Sequence, residues 1–237
     1  MKTIRTEFNQ QNPGILILGG MQYEVGKLDK DYLLYDFPQI CRFLNARGKL
    51  LFGKQFKIHK EDYNLILKLT SYFIYDKDSC RKYGIDLDKG ILLSGPVGCG
   101  KTSLMRLLQH LVPHKKHHQY TVLPTRNIVF GFNNLGYKTI EDYTDRKPYC
   151  FDDLGVEPIG RHYGKDCNVM GEILISRYEQ FPRRRESFHP LRDGLTHITT
   201  NLNAQELENR YGERVRSRMR EMFNLISFNM DSKDKRS

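Results

Sequence analysis

Along this chain, short apolar runs take turns with stretches in which apolar residues recur every three or four positions. That is the alternation expected where buried strands are flanked by amphipathic helices. Ile91, Leu92 and Leu93 make one run, and Leu104, Leu107, Leu108 and Leu111 follow at helical spacing. Tyr149, Cys150 and Phe151 make a second run, ahead of a helix whose inward positions are Met170, Ile173, Leu174 and Tyr178. Leu195 and Ile198 lie in the threonine-rich "GLTHITTNLN", a third strand, after which Asn203 is placed to cap the helix opening at "AQELENRY". In "GERVRSRMREMF" Val215, Met219 and Met222 face a core, with Arg214 and Arg218 forming one basic ridge and Arg216 and Arg220 another. Upstream, Tyr63, Ile66, Leu67, Thr70, Phe73 and Ile74 share one face of a helix within "HKEDYNLILKLTSYFIYDKD". The pattern predicts an α/β protein: a parallel sheet with helices on both faces, preceded by a small helical or mixed amino-terminal extension. The expected divisions are 1–84 for the extension, 85–230 for the core and 231–237 for a polar basic tail.

Composition narrows the class. The chain has 237 residues, 39% hydrophobic and 28% charged, enough for one large domain or one ordinary domain with an extension. No apolar run approaches the roughly 20 residues of a membrane helix, and "ILIL" at Ile15–Leu18 is too short for a signal-peptide core. Cytoplasmic placement without membrane contact is the expectation. Cys41, Cys80, Cys99, Cys150 and Cys167 stand singly, so neither a zinc site nor a disulfide framework is indicated. A net charge of +10 suits a polyanionic partner.

The strongest local signal joins the first run to its helix. Gly95-Pro96-Val97-Gly98-Cys99-Gly100-Lys101-Thr102-Ser103 is a complete phosphate-loop pattern between a strand and a helix. Glycines let successive backbone N–H groups curl inward onto phosphate oxygens, where the start of the helix adds its positive dipole end. Lys101 neutralises the outer phosphates, and the Thr102 hydroxyl is a ligand for Mg²⁺. Two upstream stretches, "GILILGG" and "GMQYEVGKL", lack the lysine or the spacing and carry no second site.

A phosphate loop calls for a carboxylate on a neighbouring strand. "PYCFDDLG" supplies Asp152, assigned to the Mg²⁺ shell, and Asp153, assigned to orienting or deprotonating the attacking water. Asn201, just past the threonine-rich strand, could reach the γ-phosphate or the water, and an Asn at a strand end also serves turn chemistry.

In this order, "GPVGCGKTS", "YCFDDLGVEP", "THITTNLN" and "LENRYGERVRSRMRE" resemble the AAA+ P-loop ATPases of the DnaC/DnaI helicase-loader group, near the IstB-type transposition helper ATPases. The resemblance spans roughly Gly90 to Phe228. It implies that ATP with Mg²⁺ is the cofactor pair and that Asp152 and Asp153 form Walker B. It implies sensor 1 at Asn201. It also implies that Arg218, with Arg214 beside it, reaches nucleotide on an adjacent subunit, so that the ATP-bound chain assembles with itself. One departure stands out: the group carries a late sensor 2 arginine, where this chain has Lys233, Lys235 and Arg236 in a polar tail.

The implied activity is ATP hydrolysis in replication initiation, acting on a replicative helicase and single-stranded DNA. The alternatives are an IstB-like helper of a transposase, a non-hydrolysing ATP-switched adaptor and a small-molecule kinase. Arg183, Arg184 and Arg185, near Phe188 and His189, are the candidate nucleic-acid contacts, because they combine charge with aromatic planes. "KKHHQY" from Lys115 reads as a solvated turn, "FPRRRESFHPLRDG" from Phe181 as a basic loop, and "GRHYGKDCNVMGEILISRYEQF" as a basic loop leading into an amphipathic helix. "YLLYDFPQICRFLNARGKLLFG" is, by analogy, where a partner protein would be gripped.

Overall fold

The computed structural model describes residues 5–30, 32–114, 119–186 and 194–235, with the side chains of 182–186 left out. The chain divides into two compact units, one of residues 1–83 with 103–119 and one of 84–102 with 120–237.

The first unit is mixed. Strands β1 (Glu7–Phe8), β2 (Ile15–Leu18) and β3 (Met21–Glu24) form an antiparallel sheet, and β4 (Gly26–Asp29) pairs with β5 (Tyr32–Tyr35). The two glycine stretches that mimic a phosphate loop thus lie in and between antiparallel strands. Helix α1 (Phe37–Phe52) starts where the Asp36 carboxylate accepts the Gln39 N–H at 3.1 Å and ends at Gly53, whose φ of 106° few other residues adopt. Helix α2 (Tyr63–Ile74) buries Leu65, Leu69 and Tyr72 as well as the predicted Ile66, Thr70 and Phe73, so its apolar surface is wider than one stripe. Helix α3 (Lys77–Lys82) follows, capped by Asp76.

Arg47 of α1 is 2% exposed, and its Nη2 lies 3.4 Å from His110 Nε2. Burial, and then the Arg47 charge, hold His110 down at about 4, so the ring is neutral and accepts.

The second unit holds a five-stranded, wholly parallel sheet flanked by helices, as the apolar pattern predicts. Its strands are β6 (Gly90–Ser94), β7 (Thr121–Pro124), β8 (Tyr149–Leu154), β11 (Thr196–Thr200) and β12 (Phe223–Ser227), in the order β12-β6-β11-β8-β7. Helix α4 (Lys101–Leu108) leaves the loop after β6. One face of the sheet, through Leu92, Phe151 and Ile198, packs on α5 (Thr125–Leu135), α7 (Val169–Glu186) and α8 (Ala204–Met222). Val215, Met219 and Met222 are buried in this cluster as their spacing predicts. Helix α6 (Tyr137–Tyr143) follows α5.

Two local expectations change. Residues 160–167, read as a basic loop, form a hairpin of β9 (Gly160–His162) and β10 (Lys165–Cys167); Tyr163 and Gly164 both have positive φ, the backbone a tight two-residue turn requires. The arginine-rich segment from Phe181, also read as a loop, continues α7 to Glu186.

The far end of the sheet is stitched by Arg177, 3% exposed. Its guanidinium donates to the carbonyls of Tyr143, Asp145, Lys147 and Gly194, and Nε to Thr196 Oγ1 at 2.6 Å. Its plane lies over Tyr149, 5.1 Å from the ring centroid. A planar five-donor fork matches this set and an ammonium does not.

Arg177→Leu should therefore cost at least about 3 kcal/mol, since several buried carbonyls lose a charged donor together, and Arg177→Lys should recover only part; urea unfolding measures both, and a loss below about 1 kcal/mol would contradict the stitch. In the first unit, unfolded His110 binds a proton below its ordinary value of 6.5, whereas folded His110 does so only near 4. Stability should fall as pH drops through that window, and His110→Gln should flatten the dependence in urea titrations at stepped pH.

Candidate functional site

The phosphate-loop residues follow β6 directly. Gly98 and Gly100 have φ of 81° and 102°, which turns the backbone as the loop requires. A Cβ on Gly100 would meet nothing within 4 Å, so the loop stays open there. Gly95 is packed: a Cβ would stand 2.7 Å from Phe228 Cβ. Lys101 is 5% exposed and its Nζ donates to the carbonyls of Gly95 and Pro96 at 2.8 and 2.9 Å. Cys99 is buried, Val97 is exposed, and Pro96 and Ser103 lie between these extremes.

The carboxylate strand is not the neighbour of the loop strand. β11 lies between β6 and β8, so an element bearing Thr199 and Asn201 separates the loop from Asp152. The gap is closed by hydroxyls. Asp152, 5% exposed, accepts on Oδ1 from Thr102 Oγ1 at 2.8 Å and from Thr199 Oγ1 at 2.7 Å. Thr199 in turn accepts the Asp153 N–H at 2.9 Å.

Asp153 has φ 55°, a left-handed conformation that costs a non-glycine residue free energy. Thr199 holds its N–H and the Thr125 hydroxyl donates to its carbonyl at 3.0 Å, so the backbone is fixed on both sides. The Asp153 residue is exposed while Asp152 is buried. One acid is thus locked to the loop helix and the other is turned outward.

Asn201 follows β11. Its Oδ1 is buried and has no hydrogen-bond partner among the described residues, a costly state for an amide oxygen. An unmatched polar atom beside the strand ends that carry the loop and the acids fits a bound polar ligand. The donor set fits Mg²⁺ as phosphate-bound magnesium requires it: one hydroxyl, Thr102, and one carboxylate, Asp152, with the remaining positions left to phosphate and water. Among the described residues no cluster of three or more His, Cys, Asp or Glu side chains is poised for a metal.

Sequence reading missed Thr125, Thr199 and Glu157. Glu157, 4% exposed, accepts the Gly155 N–H at 2.8 Å, takes the Tyr211 hydroxyl and lies 3.5 Å from Arg210 Nε. Burial beside that carboxylate pushes the Tyr211 phenol far up. The turn after Asp153 is thereby tied to the first half of α8, which Asn203 and Glu206 close with a reciprocal capping box. Gly212 interrupts α8 at φ 84°, and the arginines follow that kink.

Arg218 lies with its guanidinium 4.4 Å from the Tyr178 ring centroid, 3.2 Å from the Tyr178 hydroxyl and 3.4 Å from Glu221. Arg214 is exposed and has no ion pair among the described residues. Burial, and then the Arg220 charge, hold Arg216 below its ordinary range, and Arg220 reaches Glu208 at 4.0 Å. The side chains of Arg183, Arg184 and Arg185 lie outside the described residues, as do Lys115, Phe188, His189 and Arg236.

The tail returns to the loop. Lys235 N–H donates to the Gly98 carbonyl at 3.0 Å, and the Asp234 carboxylate occupies the space a Gly98 side chain would fill. Lys235 Nζ lies 5.1 Å from the Phe228 ring centroid.

No protein-family model matches the sequence, and a search of curated proteins gives no match. Among solved structures, the crystal structure of the DnaC helicase loader is similar at a TM-score of 0.51 and 20% identity, over 73% of this chain and 92% of that one. A putative primosome component from Streptococcus pyogenes serotype M3 gives 0.48 at 20% identity, over 70% and 81%. AMPPCP-bound DnaA from Aquifex aeolicus gives 0.44 at 16%, over 76% and 50%. The likeness to the DnaC helicase loader shows the fold, an α/β protein built on a five-stranded parallel sheet. Among the described residues no helix is long and apolar enough to cross a membrane.

The strain at Asp153 gives a stability test. Asp153→Gly should raise stability by about 0.5–1 kcal/mol by relieving the left-handed backbone. Thr199→Val should lower it by about 1–3 kcal/mol by leaving a buried carboxylate and N–H short of a partner. Guanidinium denaturation reads both; a destabilised Asp153→Gly would remove the claim of strain.

Proposed function

We propose that the chain binds ATP with Mg²⁺ at the loop after β6 and hydrolyses it, as a helicase-loader-type ATPase acting on a replicative helicase and single-stranded DNA. The observation that carries this reading is the convergence of Lys101, Thr102, Asp152, Asp153 and Asn201 at the carboxyl ends of three adjacent strands, β6, β11 and β8. Open parallel sheets bind ligands at that edge.

In this reading the loop N–H groups hold the phosphates while Lys101 exchanges its carbonyl partners for phosphate oxygen. Thr102 and Asp152 would hold Mg²⁺, which would neutralise phosphate charge. Asp153, turned outward, accepts a proton from water as the water oxygen forms its bond to the γ-phosphorus and the bond to the ADP oxygen breaks. The Asn201 carboxamide positions that water or the γ-phosphate. Arg218, oriented by Tyr178 and Glu221, is presented to the nucleotide of a second copy, which makes a homo-oligomer the active form. The partner assignment rests on the order of the four motifs and on the fold shared with the DnaC helicase loader.

Lys101→Ala should abolish binding of a fluorescent ATP analogue. Asp153→Asn should keep binding and lower phosphate release at least about 100-fold. Arg218→Ala mixed with Asp153→Asn should recover activity that neither has alone; additive, unrecovered rates would exclude a site shared between copies. Asp234→Asn should tighten ATP binding several-fold, because a carboxylate no longer stands against the phosphate loop.

A further inference from the structure

The first unit contains a groove of about 1030 Å³, lined entirely by its own residues. That lies at the upper limit of the roughly 300–1,000 Å³ of small-molecule sites, room enough for a short length of polymer. Around it stand Arg42, Lys49, Lys54, Lys57 and Lys60, all exposed, against one acid, Glu61. None of the five cations has an ion pair among the described residues. Like charges gathered without partners repel one another, so the arrangement costs stability unless an anion answers it.

The groove is built rather than incidental. Arg42 and Lys49 are two turns apart on one face of α1, about 10 Å along its axis. The opposite wall, residues 54–60, is pinned to α1 at two points. The Phe56 ring lies on Gly48, where any Cβ would collide with it, and Asn45 Oδ1 accepts the Ile58 N–H at 2.7 Å. Lys54, Lys57 and Lys60 are thus carried on a fixed strap. Between the cations lie the partly exposed rings of Tyr23, Phe56 and Tyr63.

We infer that this groove binds a single-stranded nucleic acid, the lysines and arginine tracking phosphates and the rings offering planes for bases. Cations together with ring planes suit a nucleic acid, whereas an acidic peptide would use the cations and leave the flat ring faces without stacked bases. The inference gives the nucleic-acid partner of the proposed function a site of its own, independent of ATP and separate from Arg183, Arg184 and Arg185.

The test uses the full chain and a fluorescent oligo(dT), with affinity followed across salt concentrations by anisotropy. Lys54/Lys57/Lys60→Gln should weaken binding at least tenfold at low salt and reduce the log–log salt slope by about 2, at roughly 0.7 per phosphate contact. Lys77/Arg81/Lys82→Gln, which removes the same charge from α3, should leave the slope near wild type. Equal losses in the two triples would overturn the proposal, as would a slope that vanishes only in Arg183/Arg184/Arg185→Ala. Displacement by poly-glutamate at matched charge as readily as by unlabelled oligo(dT) would also overturn it, in favour of an acidic peptide. Circular dichroism melts confirm that each triple is folded. Loss of ATP binding with intact oligo(dT) binding would sink the ATPase reading and leave the groove standing.

Discussion

Oδ1 of Asp152 accepts hydroxyl hydrogen bonds from Thr102, on the helix after β6, and from Thr199, on β11, and so ties three elements together at one edge of the sheet. Because β11 runs between β6 and β8, the phosphate loop and the acidic strand never pair directly. Their alignment depends on short polar side chains reaching across the intervening strand. These bonds lie in a largely buried setting, where a satisfied network fixes geometry and a partly satisfied one is costly. All of β11 is buried, threonines included, which suits a strand that serves as a polar spacer within an apolar sheet.

The two ends of this sheet are treated differently. At the loop end, Asp153 is held in a strained left-handed conformation, and Asn201 keeps an unmatched buried oxygen. At the other end Arg177 satisfies four backbone carbonyls and a hydroxyl at once. Local conflict sits where chemistry is expected, and rigid satisfaction lies opposite it. That distribution is usual when a stable scaffold supports a demanding site.

Helix α8 runs from the acidic turn to an arginine-bearing surface. Its first half is fixed to the turn after Asp153 through Glu157, Tyr211 and Arg210. Beyond the break at Gly212, the basic half carries Arg218 against Tyr178 and leaves Arg214 exposed. A clamp, a glycine break and an oriented arginine thus follow one another along α8. The carboxyl-terminal tail places Asp234 against Gly98 on the loop itself.

Three strands of the second unit, β6, β8 and β11, and the helices α4, α7 and α8 were legible in the residues alone, because buried strands and amphipathic helices impose periodicities on sequence; β7, β12 and the β9–β10 hairpin were not. Ile91–Leu93, Tyr149–Phe151, Val215, Met219 and Met222 all lie where those periods put them. The glycine-rich turn between β6 and α4 was equally plain, since Gly95, Gly98 and Gly100 all take positive φ there, which favours glycine. The first unit's five short strands were not, for they are brief and lack a regular alternation of buried and exposed positions outside β2 and β5, and their pairing is set by partners distant from any local period. Nor did any pattern reveal that β11 separates the loop from Asp152, or that Thr199, Thr125 and Glu157 hold the acidic turn. A threonine or glutamate carries no local mark of the partner it will meet across a sheet, so those roles were decided only when tertiary packing brought residues 46 and 47 positions apart into hydrogen-bond contact.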